Sequence, residues 1–168
     1  MERRQFLIGT SVTALIAAAS GFVWRDSLAE TPKEVFEVEK TEAEWRKILT
    51  PEQFDVLRKQ GTERPWTSPL NNEHRNGTFA CAGCDLPLYS SKTKFDSGTG
   101  WPSFYEPLPD AVRTSSDRSW LAVRTEVHCR RCGGHLGHVF DDGPAPTGQR
   151  YCMNGVAMKF EPAADKPS

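Results

Sequence analysis

Val127-His128-Cys129-Arg130-Arg131-Cys132-Gly133-Gly134-His135-Leu136-Gly137-His138-Val139-Phe140 is the stretch that decides how the chain is built. Upstream of it, Ser119-Trp120-Leu121-Ala122-Val123-Arg124 continues through Val127-His128 as a hairpin strand running into a Cys-x-x-Cys turn. The same arrangement occurs earlier. Thr78-Phe79-Ala80 leads into Cys81-x-x-Cys84 and Leu86-Pro87-Leu88-Tyr89 leaves it, so each pair sits in a knuckle between strands. Zinc takes a tetrahedron of soft ligands, and a two-residue spacer presents two thiolates at once. Cys81, Cys84, Cys129 and Cys132 are therefore the expected ligands of one structural zinc ion. A rival set of Cys129, Cys132, His135 and His138 would strand Cys81 and Cys84, so four cysteines are the more economical assignment.

The fifth cysteine belongs to no pair. It lies in Gln149-Arg150-Tyr151-Cys152-Met153-Asn154-Gly155, in a chain that also carries His135 and His138. A neighbouring cation favours a thiolate, and His and Asn side chains can donate to an oxygen, so Cys152 is a candidate nucleophile. The alternative is a buried cysteine acting as a small hydrophobe.

Around these motifs, 168 residues with 38% hydrophobic content suit one globular domain. A formal net charge of −1, from 21 basic and 22 acidic side chains, lacks the positive field that a phosphate backbone requires, so no nucleic-acid partner is expected. Twelve Pro and thirteen Gly, with short strands between turns, indicate a mainly β, loop-rich architecture. Residues 1–29 read as a twin-arginine export signal: Arg3-Arg4-Gln5-Phe6-Leu7, an apolar run from Ile8 to Trp24, and a small-residue exit at Ser27-Leu28-Ala29. Such a signal implies the twin-arginine export machinery as a partner and a periplasmic location, with an uncleaved membrane anchor as the alternative. Export of a folded chain suits a site that takes up metal in a reducing compartment.

Residues 30–40 form an N-terminal arm or short strand. Two capping boxes follow, Thr41 with Glu44 and Thr50 with Gln53, opening helices whose apolar faces carry Trp45, Ile48 and Leu49, then Phe54 and Leu57, until Gly61 stops the second. From Thr62 short strands are expected. Trp101, between Gly100 and Pro102, is either core or a pocket wall; Arg130 and Arg131 read as solvated surface charge. Val156 to Phe160 is a closing strand, and residues 161–168 are a disordered tail.

Five ordered motifs carry a family likeness: Leu49-Thr50-Pro51-Glu52-Gln53; Gly61-Thr62-Glu63-Arg64-Pro65; Phe95-Asp96-Ser97-Gly98 with Gly100-Trp101-Pro102-Ser103-Phe104; Gly134-His135-Leu136-Gly137-His138-Val139-Phe140; and Arg150-Tyr151-Cys152 with Asn154. Over residues 41–160 the chain resembles the B-type methionine sulfoxide reductases, which reduce the R epimer of methionine sulfoxide. The resemblance implies two antiparallel sheets with short N-terminal helices packed on them, and a zinc site remote from the catalytic centre. It places Cys152 as the nucleophile that becomes a sulfenic acid, His138 and Asn154 beside the sulfoxide oxygen, Asp142 as an orienter and His135 as a further catalytic member. Trp101 takes the position that packs on the substrate methyl. Many members carry a resolving cysteine two residues before that Trp; here the position is Thr99. The expected partners are oxidised methionine in proteins or peptides and a thioredoxin-like or other external thiol, with the chain acting as a monomer.

Overall fold

The computed structural model describes residues 34–118 and 123–164. The expected export signal, the start of the arm, Ser119 to Ala122 and the end of the tail lie outside the described residues. No helix among the described residues is long and apolar enough to cross a membrane.

Both capping boxes form. The Thr41 side chain accepts from the Glu44 amide while Glu44 reaches back to the Thr41 amide, opening α1 (Glu42–Ile48). Thr50 and Gln53 do the same for α2 (Pro51–Lys59), with Pro51 in the first turn, where its missing N–H costs nothing. Trp45, Leu49, Phe54, Val56 and Leu57 are buried, but Ile48 is 55% exposed. The chain leaves α1 at Leu49, which adopts an extended conformation, so Ile48 ends the helix on its outer side. The left-handed residue that stops α2 is Gln60 rather than Gly61; the Gly61 amide then closes back on the Asp55 carbonyl at 3.0 Å.

The first strand begins later than expected, because residues 62–76 hold only turns and a 3₁₀ turn over Pro69–Asn72. Nine strands follow among the described residues: β1 (Gly77–Cys81), β2 (Pro87–Ser90), β3 (Lys94–Phe95), β4 (Ser103–Phe104), β5 (Val112–Asp117), β6 (Arg124–Cys129), β7 (His135–Phe140), β8 (Arg150–Met153) and β9 (Met158–Pro162). They form two antiparallel sheets, ordered β2-β1-β9 and β3-β4-β8-β7-β6-β5. Strand β9 reaches Pro162, so Glu161 and Pro162, expected in the tail, are instead paired with β1.

The core joins the two sheets. Phe79 from β1 and Tyr89 from β2 meet Phe104 from β4, the first edge-on at 5.0 Å and the second stacked at 4.3 Å. The buried Tyr89 hydroxyl donates to the Met153 sulfur at 3.1 Å, which satisfies the polar end of an otherwise apolar ring. Leu88, Val127 and Leu136 complete this interior.

Candidate active site and metal centre

The two knuckles come from different sheets, one between β1 and β2 and the other between β6 and β7. The Asp85 amide closes the first turn on the Cys81 carbonyl at 2.9 Å, and the Gly133 amide closes the second on Cys129 at 2.8 Å. Their four sulfurs lie within 4.8 Å of one another, with Cys81 to Cys132 at 3.8 Å and Cys84 to Cys129 at 3.5 Å. A tetrahedron with zinc–sulfur bonds near 2.3 Å has sulfurs about 3.8 Å apart, so the cluster fits such an ion. Its charge chemistry agrees. Cys129 is held far below the usual thiol range, first by Cys132 and then by Cys81 and Cys84, while Cys81 is pushed far up by Cys129. Four crowded thiols cannot all ionise without a cation among them. His135 and His138 stand outside the cluster, which removes the rival ligand set.

The arm covers the second knuckle. The Val38 amide donates to the Arg131 carbonyl at 3.0 Å, and the Phe36 ring packs edge-on to His128 at 5.8 Å. Arg130 and Arg131 are not free surface charge. Arg130 pairs with Glu37 and donates to the Asp110 carbonyl, while Arg131 donates to the Cys84 carbonyl at 3.1 Å, tying arm and knuckles together.

A second centre lies on the six-stranded sheet. Cross-strand pairing aligns Ser115, Glu126, His138, Cys152 and Ser103 in one row over β5, β6, β7, β8 and β4. In a regular strand, His135 and His138 would face opposite sides. The register slips by one residue at Leu136, opposite the step from Val127 to His128, and this bulge rephases the strand. The two rings consequently approach to 5.4 Å. Gly137 is needed between them, since a Cβ there would stand 2.1 Å from the Cys152 carbonyl oxygen.

Cys152 opens into a cavity of about 120 Å³ with Trp101, His138, Asn154, Thr62, Arg124, Gly137 and Phe140. Trp101 is a pocket wall rather than core: it is half-buried, and its Nε1 donates to the Glu63 carbonyl at 3.0 Å. The preceding Gly100, at φ +93°, turns its carbonyl to accept from the Trp66 amide at 2.7 Å and the Asn71 side chain at 3.0 Å. Asn154 is buried; its Oδ1 accepts from the Glu63 amide at 2.9 Å and its Nδ2 donates to the Leu136 carbonyl at 3.0 Å. An amide nitrogen carries two hydrogens, so one remains for a ligand.

Asp142, expected as an orienter, is not hydrogen-bonded to His138; it is exposed and makes a two-point ion pair with Arg150 at 2.8 and 2.9 Å. The carboxylate on His138 is Asp117, whose Oδ2 lies 2.8 Å from Nε2 and 2.7 Å from Arg124. Nor does Arg150 make Cys152 a resting thiolate. Burial pushes the thiol above its ordinary value, and the pull of Thr99 and Arg150 does not offset it. His135 sits behind the site, its Nδ1 2.7 Å from Glu126, whose carboxyl this contact, chiefly, holds at about 2. Its Nε2 is buried without a partner and lines a cavity of about 300 Å³ shared with His138, Asp117, Arg124 and Glu126.

The Thr99 hydroxyl is 3.8 Å from the Cys152 sulfur, so this position does face the nucleophile. A larger groove of about 730 Å³, between α2 and residues 62–70, is lined by neither cysteine nor histidine among the described residues.

A SelR domain model matches residues 49–162. The chain belongs to the SelR family. Curated relatives agree: "Peptide methionine sulfoxide reductase MsrB" of Agrobacterium fabrum is 57% identical over 126 residues, 74% of this chain and 93% of that protein. The relative of that name from Methanosarcina barkeri is also 57% identical, over 74% of this chain and 88% of its own length. One from Pseudomonas putida is 56% identical over 74% and 95%. Among solved structures, a Mis18 "Yippee-like" domain is similar at a TM-score of 0.43 and 17% identity, over 54% of this chain and all of that one. The SelR match spans the second cysteine knuckle, the His135–His138 bulge and Cys152, which places the site described above inside the family's domain.

Proposed function

We propose that this chain, a peptide methionine sulfoxide reductase by family, reduces the R epimer of methionine sulfoxide in proteins or peptides through Cys152. The observation that carries the reading is the pairing of Cys152 with His138 across β8 and β7, in a small cavity walled by Trp101 and Asn154.

In this reading the Cys152 sulfur attacks the sulfoxide, and the net change is transfer of one oxygen. The S–O bond of the substrate breaks, an S–O bond forms on Cys152, and the substrate sulfur leaves as methionine, reduced by two electrons. Cys152 is oxidised by two electrons to a sulfenic acid. The thiol proton lost from Cys152 equals the proton gained by oxygen, so none is consumed overall. His138 is suited to carry it: burial lowers its proton affinity, which favours the neutral ring that can accept. The spare Asn154 N–H supports the oxygen as negative charge grows there. The Trp101 ring supports recognition of the substrate methyl.

Thr99 offers no thiol, and the other four cysteines stand together in the cluster, so two thiol equivalents from an external reductant return Cys152 to its reduced state, ending as one disulfide and releasing water. A zinc ion held by Cys81, Cys84, Cys129 and Cys132 would supply a structural cross-link between the two knuckles. Export and a periplasmic location rest on Arg3-Arg4 and the apolar run behind them; a reporter fused to residues 1–29 tests both.

The deciding experiment gives the zinc-loaded protein a peptide carrying racemic methionine sulfoxide, with dithiothreitol, and separates the remaining epimers. Loss of the R epimer alone, abolished by Cys152→Ser, is expected. Consumption of neither epimer by folded, metal-bound protein would sink the reading.

A further inference from the structure

We propose that Asp117 is the positioning residue that sets which nitrogen of His138 faces the reaction, an assignment that rests on the methionine sulfoxide reading above. The Asp117 carboxylate lies 2.8 Å from Nε2 of His138 and is itself mostly buried. A carboxylate only accepts, so the hydrogen of neutral His138 stays on Nε2. Among the described residues no hydrogen bond to Nδ1 is found, and His138 lines the cavity that holds Cys152, so the lone pair left to serve that cavity is the one on Nδ1.

This is the state that the transfer needs. Nδ1 takes the thiol proton as Cys152 attacks, His138 becomes imidazolium, and the same nitrogen hands that proton to the departing sulfoxide oxygen. Throughout, Nε2–H remains on Asp117, which stabilises the transient cation without taking its proton. The logic is that of a carboxylate fixing a histidine's tautomer beside a nucleophile.

The surroundings make Asp117 the effective partner. The charged and titratable groups about His138 are Asp117 from β5, Arg124 and Glu126 from β6, His135 from β7 and Cys152 from β8. Arg124 opposes protonation of His138 and also donates to the same Asp117 oxygen at 2.7 Å, holding the carboxylate in place. Glu126 is occupied by His135 at 2.7 Å, by the Ser115 hydroxyl at 2.7 Å and by the Gln60 amide at 3.1 Å. Asp142 is committed to Arg150.

The test uses the full-length, zinc-loaded chain as wild type, Asp117→Asn and Asp117→Glu. Long-range nitrogen-15 correlation spectra of His138, which need no turnover, should show the Nε2–H form in wild type and a mixed or reversed form in Asp117→Asn. In single-turnover assays the saturating rate should fall about 100-fold in Asp117→Asn, the size ordinary for impaired proton transfer, while the substrate concentration giving half that rate changes little. The limb of kcat/KM against pH that follows His138 should move to lower pH, because the lost carboxylate favoured the imidazolium. Asp117→Glu should recover part of the rate. Unchanged zinc content and circular dichroism separate this from misfolding. A wild-type tautomer and pH profile in Asp117→Asn would overturn the proposal. If the wild type itself reduces no sulfoxide, the functional reading fails, while the spectra still decide the role of Asp117.

Discussion

At Cys152 the structure sets proximity against acidity. Burial raises the thiol's proton affinity, although Thr99 and Arg150 pull the other way. Alkylation of Cys152 by iodoacetamide in the metal-bound protein should therefore be slow at neutral pH and rise with a midpoint above that of a free thiol, read by mass spectrometry across a pH series. The residue facing that sulfur carries a prediction of its own. With Thr99 Oγ1 3.8 Å from the sulfur, Thr99→Cys places a second thiol beside Cys152, and a closure of about 1.7 Å brings the pair to disulfide distance, near 2.05 Å between sulfurs. One equivalent of sulfoxide should then yield a disulfide between the introduced thiol and Cys152 rather than a lasting sulfenic acid, seen as a mass loss of about two hydrogens and as resistance to sulfenate-trapping reagents. Residues differ sharply in how far the sequence exposes them. Cys152, His138, Trp101 and Asn154 stand in motifs that carry the family resemblance, and all four line one cavity. Asp117 and Glu126 stand in no such motif. They become visible only once the register of β5, β6 and β7 is known, since Asp117 reaches His138 across 21 residues of chain.

The helices can be read from sequence because their signals are local. A Thr and its partner three residues later specify the first turn without reference to anything else in the fold. Thr50→Ala should accordingly lower stability by about 1 kcal/mol, measured as a fall in the urea midpoint of the metal-bound protein with unchanged slope. Strand β5 has the opposite character. Val112-Arg113-Thr114-Ser115-Ser116-Asp117 has no alternation of apolar and polar residues, and four of the six are exposed. Its conformation comes from six residue pairs with β6, which no pattern within the strand announces. The bulge at Leu136 is hidden for the same reason: His-x-x-His looks like two faces of a strand, and only the slip against β6 unites them. The arm is intermediate. Its alternation indicates an extended segment, but its fastening to Arg130 and Arg131 depends on the knuckle beneath it.

For the molecule as a whole, the metal centre and the aromatic core are two places where the sheets are joined. The core does so by contact between Phe79, Tyr89 and Phe104; the cysteines do so by bringing the β1–β2 turn to the β6–β7 turn. Without an ion the four thiols stand packed together, with Cys81 and Cys129 pushed in opposite directions. Removal of metal by a chelator, or Cys84→Ser, should lower the thermal midpoint by roughly 10 °C or more, with loss of one zinc per chain by elemental analysis. The knuckles are legible because spacing alone encodes their chemistry. That they belong to different sheets is not, because strand order is not written in spacing.

The backbone of Cys152 lies between two neighbours, Ser103 on β4 and His138 on β7, and is paired to both. An interior strand of a ladder has no slack in which to shift. For the oxygen transfer proposed above, the sulfur can therefore change oxidation state while its Cα stays where it is. A crystal of this protein soaked with a sulfoxide peptide should pass through the reaction without cracking, and electron-density difference maps at successive delays should show change at one sulfur and its ligands against a stationary lattice.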